Sequence, residues 1–140
     1  MEHVVTGALI RNERLLLGHR CAGRASYPGV WDLPGGHVEL GEAPLDALVR
    51  ELTEELGVLI TRPAGPPLAS LHPLAHEPSF ELAIWVVTAW EGSVTNCAPA
   101  EHDELGWFDA EEWSALSLAH QEYRAVLASA MANAREASRA

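Results

Sequence analysis

GGHVELGEAPLDALVRELTEELGV, Gly35–Val58, decides how this chain is read, because it sets Glu51, Glu54 and Glu55 beside Arg50 just downstream of a glycine pair. Leu45, Leu48, Val49, Leu52 and Leu56 follow helical spacing on one stripe, so a helix is predicted over Glu42–Leu56, stopped by Gly57. At about 100° per residue the three glutamates fall in a second arc beside that stripe. Like-charged neighbours so placed cost about 0.2–0.5 kcal/mol each unless something neutralises them. Arg50, four residues before Glu54, can hold one carboxylate. The others suit a hard divalent cation, Mg²⁺ with Mn²⁺ as a substitute, which takes oxygen ligands and shares its shell with water and phosphate. Gly35 and Gly36 let backbone come close to such an ion or to a phosphate. A lone pair of glutamates is most often a solvated helix face. The full string asks for more than that.

Outward from this helix, Val4–Ile10 and Arg14–Arg20 alternate and carry branched residues, which predicts a hairpin turning at Asn12-Glu13. CAGRASYPG reads as a loop and VWDLPGG as one short strand ending in a turn. Downstream, Leu68–Ala75 and Phe80–Trp90 read as strands, the second apolar enough for the centre of a sheet. Asn96–Asp103 reads as a loop and Leu105–Phe108 as a short strand. Asp109 is placed to cap a helix at AEEW, and a last helix runs from Gln121 to about Ser138. Mixed strands with helices early and late give an α/β layered domain, a single one over residues 1–140.

The 140 residues are 48% apolar and 21% charged, which fits an ordinary globular domain. No apolar run reaches the roughly 18 residues of a membrane span, and the N-terminus lacks the pattern of a signal peptide. A cytoplasmic enzyme is the expectation. All nine basic residues are arginine, and the net charge is −11. Nucleic-acid polymers and anionic membranes both need a basic face, so neither is an expected partner. A small anionic ligand fits if a metal mediates. Cys21 and Cys97 stand alone, with no metal-ligand spacing around either; two buried or idle thiols in a reducing compartment are the expectation, and a single disulfide is the alternative.

Taken as one string, the segment runs Gly36, five residues, Glu42, seven residues, Arg50-Glu51-Leu52, one residue, Glu54-Glu55, one residue, Gly57-Val58. At every defined position it resembles the Nudix box. With WDLPGGHVE leading in and ELGWF following, the chain is similar to the MutT-type Nudix hydrolases over nearly its whole length. The resemblance implies a Nudix fold, an α/β/α sandwich around a mixed β-sheet. It also implies hydrolysis of a nucleoside diphosphate linked to some group X, with a nucleoside triphosphate cut to monophosphate and pyrophosphate as leading substrate. An ADP-ribose or nucleotide-sugar pyrophosphatase and a non-catalytic nucleotide sensor are the alternatives. An isoprenoid diphosphate isomerase on the same fold would need a catalytic cysteine in a motif that neither Cys21 nor Cys97 occupies.

Carried over by position, the resemblance makes Glu54 and Glu55 metal ligands and Glu51 a ligand or the general base. Gly35 or Gly36 offers a carbonyl, Arg50 orients the carboxylates, and Glu42 supports the loop-to-helix junction. Glu101 is implied as a further ligand or base from a later loop, with Asp103 and Glu104 as competitors. Arg20 is similarly placed to a phosphate-contacting arginine. Tyr27 is the aromatic best placed to meet a ligand, ahead of Trp31, Trp85 and Trp107, and Trp85 reads as core. His120 falls near the position where relatives acting on oxidised guanine nucleotides carry an asparagine, so that substrate is not implied. A monomer or a homodimer would serve.

Overall fold

The computed structural model describes residues 2–20, 29–73 and 80–139. Two long strands, β1 (Glu2–Arg11) and β2 (Arg14–Arg20), form the expected hairpin. Its two-residue turn puts Asn12 and Glu13 at φ of 53° and 59°, the left-handed pair that matches strand twist in a tight hairpin. The chain returns through β3 (Trp31–Asp32) and β4 (Gly35–His37), so VWDLPGG is two short strands on either side of Pro34, the first paired with β2 and the second with β1. Next come α1 (Pro44–Leu56), β5 (Leu59–Ile60), β6 (Ala69–Leu71), β7 (Phe80–Val87), β8 (Trp90–Glu91), β9 (His102–Phe108), α2 (Ala110–Ser114) and α3 (Tyr123–Arg139).

Helix α1 begins later than its apolar period suggests. Ala43 is extended, and Pro44 takes the first turn, where its missing N–H costs nothing. Glu42 therefore lies in the preceding turn. Gly57 ends the helix at φ 70°, its N–H donating to the Thr53 carbonyl. Asp109 caps α2 in a reciprocal box with Glu112. Strand β9 starts at His102, inside the segment read as a loop, and Trp90 leaves β7 to pair with β5. The last residues of the predicted strand Leu68–Ala75, together with Tyr27 and Cys21, lie outside the described residues.

The main sheet runs β3-β2-β1-β7-β6, with β4 on β1 and β9 on β2. Among the named strand pairs of the described residues only β1–β7 is parallel, so the sheet is mixed. Alternation along the strands sorts the core into two layers. Val5, Leu9, Leu16 and Trp85 face Leu48, Leu52 and Leu56 of α1, while Ile10, Leu15, Leu17 and Ile84 face Trp113, Tyr123 and Leu127 of the other two helices. The result is the α/β/α sandwich. Each fully buried leucine of α1 contributes about 1.5–3 kcal/mol, which outweighs the repulsion along its acidic face. Among the described residues, no helix is long and apolar enough to cross a membrane.

Candidate active site

Strand β4 lies antiparallel to the first half of β1, with Gly36 opposite Val5 and Gly35 opposite Thr6. That pairing brings the glycine pair against the acidic arc of α1. A Cβ on Gly36 would overlap the Glu51 carboxylate, and one on Gly35 would overlap the Val5 carbonyl oxygen. Both positions are glycine because backbone and carboxylate meet there. The Gly35 N–H donates to Glu55 Oε2 at 2.9 Å.

The carboxylates form two groups. In the outer one, Arg50 takes Glu42 in a two-pronged grip, Nε to Oε2 and NH2 to Oε1, each 2.9 Å. Its NH1 donates to Glu51 at 2.9 Å, its NH2 donates to the His37 carbonyl, and Glu54 stands 3.5 Å away. The Arg50 hydrogen bonds and the Glu39 N–H hold Glu42 down at about 2. Arg50 is pushed up in turn, mainly by Glu42.

In the inner group, Glu55, Glu101 and His102 each bring one ligand atom to within 4.8 Å of the others. Burial first, then the hydrogen bond and charge of Glu101 and the charge of Glu51, push Glu55 far above the usual carboxylate range; the Gly35 N–H opposes them. Glu51 is half-buried and also raised, chiefly by burial, with Arg50 opposing. A buried carboxylate facing a second one favours a shared proton or a bound cation. Carboxylate oxygens with an open side toward a cavity fit a hard divalent ion.

That cavity has a volume of about 440 Å³. Glu51, Glu55, Glu101 and His102 line it together with the glycine pair, and Arg20, Asp32 and His120 line it with Phe80 and Leu82. Arg20 NH1 lies 3.4 Å from Asp32 Oδ2, while Asp32 Oδ1 accepts from the Tyr123 hydroxyl at 2.6 Å. His120 packs edge-on to Tyr123, and its burial lowers its pKa. With a divalent ion on its carboxylates the space would suit an anionic ligand, with Arg20 and the ring of Phe80 on its wall.

The structure thus brings Arg20, Gly35, Gly36, Glu51, Glu55, Glu101 and His120 to one cavity. Glu54 is exposed, beside Arg50. Of the two competitors of Glu101, Asp103 is bound to His19 at 2.7 Å and Glu104 is exposed in β9. Trp85 is core, Trp31 packs against His19 and Phe108, and Trp107 stacks on Trp90. Cys97 is exposed. His102 was not singled out by the sequence. Its one signal is Gly18, a glycine inside β2 with no turn to make, which marks a close approach.

A family model described as NUDIX domain matches residues 1–130. The CTP pyrophosphohydrolase of Escherichia coli is 35% identical over 112 residues, 80% of this chain and 78% of that protein. The 8-oxo-dGTP diphosphatase of Proteus vulgaris is 36% identical over 97 residues, 66% of this chain and 81% of that one. Another curated relative is 55% identical over 47 residues, and the chain spans 16% of its length. Among solved structures, the ORF135 protein of Escherichia coli superimposes with a TM-score of 0.76 at 33% identity, covering 94% of this chain and 89% of that one.

Proposed function

Because this chain belongs to the Nudix family of hydrolases, we propose that it cleaves the diphosphate linkage of a nucleoside triphosphate, releasing monophosphate and pyrophosphate with the help of Mg²⁺. The observation that carries this reading is the inner carboxylate group, Glu55 facing Glu101 in a cavity that also holds Arg20. The likeness to relatives named for CTP and 8-oxo-dGTP supports a triphosphate over ADP-ribose. Between those two, a histidine at position 120 rather than an asparagine favours a substrate other than the oxidised purine.

Glu55 and Glu101 would hold the ion, with Glu54 and the Gly36 carbonyl completing the set. When bound, a divalent ion neutralises charge on the phosphates and acidifies water. The chain's own groups do the rest. Arg50 keeps Glu51 against the glycine pair and holds Glu54 beside it, and Arg20, which lines the cavity, offers its guanidinium to a phosphate oxygen. Glu51 accepts the proton of the attacking water, a task suited to a carboxylate whose burial raises its proton affinity. Phosphoryl transfer asks for little more than such positioning and charge. His120 and Phe80 border the space left for a base.

Ion-exchange analysis of products tests this. Protein and Mg²⁺ meet a panel of canonical and oxidised triphosphates, ADP-ribose, dinucleoside polyphosphates and nucleotide sugars. Monophosphate with pyrophosphate from a triphosphate is the expected result. Cleavage of ADP-ribose alone would move the assignment to nucleotide-sugar turnover, and tight binding without turnover would make the protein a sensor.

A further inference from the structure

The proposed chemistry assigns no task to His102, a buried side chain of the site. Its Nε2 stands 3.5 Å from Glu55 Oε1, with both side chains 4% exposed. The imidazole sits in a notch that β2 opens for it. A Cβ on Gly18 would come within 2.7 Å of Nδ1 and 3.0 Å of Cγ, so no other residue fits there without moving the ring. The backbone behind His102 is clamped as well. Asn96 Nδ2 donates to the His102 carbonyl at 2.7 Å, and the N–H groups of Glu101 and His102 both donate to the Ala98 carbonyl.

We propose that His102 is a positioning residue: seated in the Gly18 notch, it fixes Oε1 of Glu55 while the Gly35 N–H fixes Oε2, so that the carboxylate is oriented for a divalent cation before one arrives. The proposal rests on the reading of Glu55 as a metal ligand. Orientation by Nε2–H is a different role from ligation. A hard cation prefers oxygen to imidazole, and the nitrogen lies at ion-pair distance, 3.5 Å, from a carboxylate oxygen. Groups that orient a metal ligand typically change metal affinity by about 10–100-fold when removed.

The test is Mn²⁺ titrated into the full chain without nucleotide, with the free ion followed by EPR. His102→Leu is expected to weaken binding by roughly 10–100-fold. His102→Gln, whose amide nitrogen stands where Nε2 stood, should restore most of the affinity, and His102→Asn, too short to reach Glu55, should not. Gly18→Ala should behave like His102→Leu, because its methyl group displaces the ring. Turnover at saturating Mn²⁺ should leave the nucleotide KM unchanged throughout. The Gln–Asn contrast stands even where Leu or the Gly18 variant fails to fold. Equal affinity in wild type, His102→Asn and His102→Gln would overturn the proposal. So would a directly bonded ¹⁴N in the pulsed EPR spectrum of bound Mn²⁺, which would make His102 a ligand. Glu55→Gln separates the two readings: wild-type affinity in that variant overturns the metal assignment itself.

Discussion

Two acidic groups with opposite electrostatics meet at α1. Around Arg50, Glu42, Glu51 and Glu54 share a guanidinium, and Glu42 is held at about 2. One turn further, Glu55 meets carboxylates instead and is pushed far up. The outer group has a cation of the protein's own. In the inner one Glu55 is buried and faces the exposed Glu101, so burial and like charge both act against its ionised form. The acidic segment is therefore two devices, a frame tied to one guanidinium and a buried pole that calls for an ion.

The largest effect that could break this contrast is on turnover. Glu55→Gln is expected to lower kcat by more than about a hundredfold, beyond the usual cost of losing a group that merely supports a metal ligand. Glu54→Gln should also lower kcat but leave the stability of the metal-free protein unchanged, because that carboxylate is exposed. Steady-state kinetics with Mg²⁺ saturating, together with calorimetry, check both. Equal stability changes in the two variants would erase the distinction between frame and pole.

The frame comes next. Arg50→Lys keeps the charge but not the fork that spans Glu42 and Glu51. Activity should fall about 10–100-fold, with Mn²⁺ affinity falling in parallel as the ligands lose their aim. An unchanged affinity would mean that Arg50 serves stability alone.

How much of this could be read beforehand follows the same division. Helix α1, its Gly57 stop, the hairpin and the Asp109 cap came from periodicity and from residues with a single local meaning. The outer frame was half visible, since Arg50 and Glu54 share a helix face, whereas the closer tie of Arg50 to Glu42 crosses the turn before the helix. The inner pole depends on β9 returning beside β2, a long-range pairing without local signature. His102 was hidden for that reason, and β4 was hidden because two glycines carry no alternation. VWDLPGG splits into two strands because its first half pairs with β2 and its second with β1, a change of partner with no local signature.

The smallest effect is a control far from both groups. Asp109→Ala removes the reciprocal cap of α2 and should cost about 1 kcal/mol of stability while leaving Mn²⁺ affinity at the wild-type value. Urea denaturation and the same titration check it. A loss of metal binding there would mean that affinity follows global stability rather than the geometry of the pole.

The most direct measurement is the melting temperature of metal-free wild type and Glu55→Gln across pH 5–8, repeated with Mg²⁺. A carboxyl whose pKa is raised by folding contributes stability below the usual value near 4.5 and loses it as pH rises through the raised one. Without metal, the Gln variant should therefore melt higher than wild type, by a margin that grows with pH. Mg²⁺ should raise the wild-type Tm most at the alkaline end and leave the variant unmoved. A Gln variant that melts lower than wild type without metal, and still responds to Mg²⁺ as wild type does, would contradict the claim that Glu55 marks the pole where the cation binds.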